Sequence, residues 1–181
     1  MGRIISQRIA CWVQSNATRH WPKAPKNRIL TPNANLKSDV NTMKREYPDA
    51  PIPAVGAVVF KGERVLLVQR AHEPSQGRWA IPGGVIELGE AARQAVEREV
   101  REECGLAVQA GDVVQVLDYI QHDDAGGLRF HYVLIDFACQ YVSGELRAGD
   151  DVADARWVHP DEFDALNVLQ RARAVIAKAR K

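Results

Sequence analysis

The chain has 181 residues, 46% hydrophobic and 26% charged, the balance of a globular protein with one core; this excludes a low-complexity or wholly disordered chain. A formal net charge of +1 gives no global field for a nucleic-acid polymer or an acidic membrane surface, and no apolar run approaches the roughly 18 residues of a membrane span. Cys11, Cys104 and Cys139 are too few and too widely spaced for a disulfide framework or a zinc site, so reduced thiols and a cytoplasmic location are expected.

The first 38 residues carry seven basic side chains and no acidic one. They are rich in Asn, Pro and Ser and show little apolar periodicity. Three readings stay open for this stretch: a disordered basic tail, a transit-like leader, or sequence upstream of a start at Met43. Residues 1–50 are therefore set apart from a domain at 51–181. Residues 54–60 form an apolar, β-branched run, Lys61-Gly62-Glu63 a turn, and residues 64–70 a second strand, together a hairpin. Residues 71–78 read as a loop, and 79–88 as an extended segment punctuated by Pro82-Gly83-Gly84. The pattern predicts a helix over 90–104, ended by Gly105 in the position that follows a helix C-terminus. Strands are expected at 113–121 and 128–142, joined by a loop at 122–127, with a short extended piece at 156–159 and helices at 160–166 and 168–178. Hairpins dominate and strands do not alternate with helices, so the fold class is α+β with a mixed sheet.

Chemistry concentrates on the helix at 90–104. At about 100° per residue, Glu103 lies about 40° from Glu99, and Glu102 about 60° to the other side. Three carboxylates thus share one helix edge, beside Val96 and Val100 on the face expected to dock on the sheet. The spacing offers the ion pairs Glu97–Arg101 and Arg98–Glu102 and leaves Glu99 and Glu103 without a partner. Clustered carboxylates with no His or Cys nearby suit a hard cation, Mg²⁺ or Mn²⁺, or else form a solvated acidic face. Glycines 83 and 84 let backbone approach a ligand, or simply make a tight turn.

Residues 84–106, GVIELGEAARQAVEREVREECGL, resemble the Nudix box, G-x₅-E-x₇-R-E-U-x-E-E-x-G-U with U a bulky aliphatic residue. Gly84, Glu90, Arg98, Glu99, Val100, Glu102, Glu103, Gly105 and Leu106 fill every fixed position. The resemblance implies an α/β/α sandwich and a metal-dependent hydrolase. Such an enzyme splits a nucleoside diphosphate linked to a group X into a nucleoside monophosphate and phosphorylated X. It implies metal ligands at Glu99, Glu103, Glu102 and the Gly84 carbonyl. Glu90, Arg98 and Gly105 are structural parts of the box. The general base is Glu99, another box carboxylate such as Glu102, or a distal acid, for which Asp151 (or Asp150) is the best candidate. Arg70, Arg78, Gly83 and Tyr132 are candidate substrate contacts; for each the plain alternative is a surface charge, a turn or strand packing. The expected substrate is a small nucleotide of the ADP-ribose or nucleoside diphosphate sugar type, although residues 118–124 lack the proline that many ADP-ribose pyrophosphatases carry beyond the box. The runner-up is a nucleoside triphosphate, as for MutT-like members, and less favoured is a nucleotide-sensing module without catalysis. Many proteins of this kind are homodimers, though no stripe in the sequence marks such an interface.

Overall fold

A computed structural model describes residues 44–181. The readings of the basic stretch, and of a start at Met43, fall outside the described residues. Six strands and two α-helices follow in the order β1 (Ile52–Lys61), β2 (Arg64–Arg70), β3 (Trp79–Ala80), α1 (Ala92–Cys104), β4 (Leu106–His122), β5 (Leu128–Gly144), β6 (Val152–Val158), a 3₁₀ turn at Pro160–Glu162, and α2 (Gln170–Ala179). The sheet order is β3-β2-β1-β5-β4, with β6 beside β2. Strands β1 and β5 run parallel, from Ile52↔Tyr132 to Val59↔Cys139, and the other strand pairs are antiparallel. The mixed sheet and α+β class are as the sequence leads one to expect.

Strand β1 is central because both its faces are apolar. Val55, Ala57 and Val59 pack in one core with Ala95, Val96, Val100 and Cys104 of α1. Val58 faces the other way, into a core with Trp79 and with Ala172, Val175 and Ile176 of α2. One helix thus covers each face of the sheet. Complete burial of Val96 and Val100 contributes roughly 1.5–3 kcal/mol each.

Several boundaries differ from the sequence reading, each for a local reason. Helix α1 starts at Ala92, not at residue 90, because the Glu90 carboxylate is held in the preceding loop and accepts from the Glu87 N–H at 3.1 Å. Strand β4 begins directly after Gly105: Ala110-Gly111-Asp112, which looks like a break, is a register shift between Ala110 and Val113. Of residues 79–88 only Trp79 and Ala80 pair with β2; the chain then crosses to β1, where Val55 N–H donates to Gly84 O and Ala57 N–H to Pro82 O. The helix expected at 160–166 is a single 3₁₀ turn. Part of the stretch assigned to the N-terminal extension joins the fold, since Tyr47 N–H donates to Arg129 O at 2.8 Å and Glu46 pairs with Arg129 at 3.0 Å.

Candidate active site

Three structural features bring the α1 carboxylates to the loop at residues 82–84. The helix is held by its apolar stripe, so the adjoining edge faces the crossing from β3 to β1. Gly105 ends it in a left-handed conformation, φ 68°, with its N–H donated to Arg101 O at 3.0 Å. The crossing loop comes close because Gly83 and Gly84 have no side chains: a Cβ on Gly84 would stand 2.5 Å from the Glu99 carboxyl carbon, and one on Gly83 would stand 2.1 Å from Val55 O. Gly83 also has φ +152°, which L-residues rarely adopt.

Arg98 organises this corner. All five of its N–H donors are used: Nε and one Nη2 proton on Glu90, two Nη1 protons on Glu99 and Glu102, and the last on Val85 O. The Glu90 pair is bidentate, with bonds of 2.9 and 3.0 Å, and holds the Glu90 carboxyl below its ordinary range. Glu99 therefore has a cationic partner that helical spacing did not reveal. The expected Glu97–Arg101 pair does not form; Glu97 instead accepts the Ala110 N–H at 2.9 Å, tying α1 to β4.

Burial raises the Glu99 carboxyl, against the opposing pull of Arg98. Burial pushes Glu103 up to about 8, reinforced by the charges of Glu99 and Asp151 and opposed by the Gly83 N–H, which it accepts at 2.9 Å, and by Arg70. Glu102 is more open, its side chain 58% exposed. These carboxylates border a cavity of about 470 Å³, the size of a small-ligand site, which Gly83, Gly84, Arg98 and Asp151 also line.

The remaining sequence candidates divide. Arg70 and Tyr132 line the cavity. Arg70 follows a register shift in β2, and its Nε donates to Pro74 O at 2.7 Å; burial lowers its pKa, and the nearby Arg171 adds to this. Arg78 lies outside the cavity lining and donates to Asn167 O at 3.0 Å, so it fastens the loop to the C-terminal segment. Glu90 and Gly105 also lie outside the lining and hold the loop and the helix end. Asp150 is not part of the wall, whereas Asp151 is. Sequence reasoning missed Asp136 and Arg171, both of which line the cavity. The first had a signal, a single acid within the apolar run Val133-Leu134-Ile135-Asp136-Phe137.

Among the described residues no three His, Cys, Asp or Glu side chains are already drawn together as a metal cage. The arms are held instead by Arg98 and by the Gly83 N–H. The donor set nonetheless fits a hard dication. Two shielded carboxylates, Glu99 and Glu103, face one cavity, with the Glu102 carboxylate and the Gly84 carbonyl as further oxygen donors on its wall. Gly84 O accepts one hydrogen bond and has a second lone pair to offer.

Among known proteins, an ADP-ribose pyrophosphatase of Methanocaldococcus jannaschii is 36% identical over 121 residues, 67% of this chain and 66% of its own length. The putative ADP-ribose pyrophosphatase YjhB of Bacillus subtilis is 28% identical over 68% of this chain, and the match spans 57% of that protein. This chain therefore matches just under two thirds, or less, of the length of these two relatives. The crystal structure of a MutT NUDIX hydrolase from Burkholderia pseudomallei superposes with a TM-score of 0.63 at 29% identity, covering 72% of this chain and 98% of that one. A family model describing the NUDIX domain matches residues 50–179, and the chain belongs to that family.

Proposed function

We propose that residues 51–181 form an Mg²⁺- or Mn²⁺-dependent pyrophosphohydrolase domain. It cleaves a nucleoside diphosphate linked to X, of the ADP-ribose or nucleoside diphosphate sugar type, to a nucleoside monophosphate and phosphorylated X. The observation that carries this reading is the pair of half-buried carboxylates, Glu99 and Glu103, set against the side-chain-free Gly83-Gly84 at the wall of a ligand-sized cavity. The two relatives named as ADP-ribose pyrophosphatases support the substrate class.

A dication held by Glu99, Glu103, Glu102 and the Gly84 carbonyl would supply neutralisation of pyrophosphate charge and a more acidic water. The chain's own residues do the rest. Arg98 keeps Glu99 and Glu102 pointed at the cavity. Arg70, half-buried and near Glu103, binds a phosphate oxygen. Gly83 brings backbone to the phosphates, and Tyr132 walls the nucleoside side. Asp151 accepts the proton of the attacking water: it borders the cavity and makes no side-chain hydrogen bond among the described residues, whereas Glu99 and Glu103 are already engaged.

The test is hydrolysis of ADP-ribose, a nucleoside diphosphate sugar and a nucleoside triphosphate with Mg²⁺, with the products identified by chromatography. Monophosphate and phosphorylated X are expected, and Glu103→Gln should lower kcat by about 10³ or more while preserving the circular dichroism spectrum. Pyrophosphate released from triphosphates alone would move the chain to the MutT-like reaction. Wild-type turnover by Glu103→Gln would remove Glu103 from the site.

A further inference from the structure

Strands β4 and β5 set their side chains in level rows on one face of the sheet. Gln115 lies opposite Asp136, Leu117 opposite Leu134, and Tyr119 opposite Tyr132. Gly56 of β1 lies level with Asp136, out of step with the residues that pack on α1, so these rows face α2. They floor the part of the cavity that Arg171, Ala172 and Val175 of α2 close. The Tyr119 and Tyr132 rings are 6.4 Å apart, and the Arg171 guanidinium stands 4.7 Å above the Tyr119 ring. Arg70 lines the same cavity as Glu103 and both tyrosines, and so links this region to the carboxylate corner.

Within this aromatic and aliphatic slot stands Asp136, 5% exposed and the one buried polar or charged residue among those described. Its Oδ2 accepts from Gln115 Nε2 at 2.8 Å, and Gln115 Oε1 in turn accepts from Lys178 Nζ at 2.6 Å. Its Oδ1 takes no side-chain bond. Among the described residues no fully buried side-chain oxygen lacks a partner, so Oδ1 opens on the cavity. Gly56 makes room for it, since a Cβ there would stand 2.4 Å from Oδ1. An acceptor fixed in place by its neighbour, with a free lone pair facing the cavity, is a ready partner for a donor on a ligand.

We infer that Asp136 is a specificity-determining residue whose free oxygen accepts a hydrogen bond from the exocyclic amino group of the substrate's nucleobase. The site then takes an amino-bearing base in preference to its keto-only counterpart. The two tyrosine rings and the leucines between them and Asp136 give a largely flat, apolar floor that matches a planar heterocycle. The assignment rests on the nucleotide hydrolase reading above and adds the base class to it.

Calorimetric titration of the full-length chain in EDTA tests it, with AMP against IMP, GMP against IMP and CMP against UMP. Wild-type protein should bind the amino member of at least one pair about tenfold more tightly, because a site built around one hydrogen bond rejects the ligand that lacks it. In Asp136→Asn, whose amide offers a donor as well as an acceptor, that ratio should fall to about one. Equal binding within every pair, no binding of any monophosphate, or an unchanged ratio in Asp136→Asn overturns the assignment. The wild-type comparison decides even if the variant fails to fold. Preference without hydrolysis of any nucleotide in Mg²⁺ would sink the hydrolase reading and leave the base selector standing. Hydrolysis without preference would do the reverse.

Discussion

At the scale of single residues, Arg98 and the two glycines separate structural work from chemical work. Arg98 spends every donor it has, and two of its carboxylate partners, Glu90 and Glu99, are shielded, with side chains 15% and 14% exposed. The third, Glu102, is more than half exposed, so that bond adds little stability. Lysine has neither the fork for Glu90 nor enough donors for the rest. Arg98→Lys should therefore cost about 1–3 kcal/mol, read as a fall in Tm, and should lower kcat as Glu99 loses its orientation. An unchanged Tm would show that the guanidinium network is ornamental. Gly83 and Gly84 should respond differently. Alanine at 83 meets backbone on both Val55 and Gly56 and must hold φ +152°, so Gly83→Ala should lower Tm sharply. The atoms nearest an alanine Cβ at 84 belong to the Glu99 carboxyl group, the far end of a side chain that can swing aside. Gly84→Ala should keep most of its Tm and lose activity, and if thermal melts rank the two glycines the other way this account of the loop fails.

At the scale of elements, what the sequence revealed and what it hid follow the range of the interactions. Helix α1, its buried stripe and its end at Gly105 are written in local spacing, because the apolar period and the left-handed cap act over a single turn. That cap is testable: Gly105→Ala should cost about 1–2 kcal/mol for holding a left-handed φ of 68°. A Tm equal to wild type would mean the helix end can relax. Spacing misplaced the start of α1 because the contact that decides it, Glu90 with Arg98, spans eight residues and depends on the loop folding back. It shortened β4 because a register shift and a turn have the same composition. It passed over Asp136, whose partner Gln115 lies 21 residues away on the neighbouring strand. It gave Arg78 to the substrate because a loop arginine carries no mark of its partner, here the carbonyl of Asn167. The box carboxylates were legible because one helix carries all three; the slot beneath α2 was not, because three strands and a helix build it.

For the whole molecule, the site is a place where stability is given up. Burial raises the carboxyls of both Glu99 and Glu103, and the charge of Glu99 adds to the rise at Glu103, so at neutral pH this corner weakens the fold. Two consequences follow if these acids hold a dication. In EDTA at neutral pH, Glu103→Gln removes a carboxyl whose ionisation burial disfavours and keeps the shape, so its Tm should equal or exceed that of wild type. With Mg²⁺, wild-type protein should gain stability by mass action, about 2.7 kcal/mol when free metal is a hundredfold above Kd, and Glu103→Gln should gain far less. The measurement is a thermal melt of both proteins in EDTA and across an Mg²⁺ titration, with Ca²⁺ as a second, larger dication. The order of the two melting temperatures should invert as metal is added, because the same carboxylate that weakens the empty fold anchors the loaded one. Equal shifts in both proteins would place the metal elsewhere. An absence of any shift in the wild type, at concentrations that support turnover, would mean that the dication arrives only with the nucleotide and that Glu99 and Glu103 do not hold it alone.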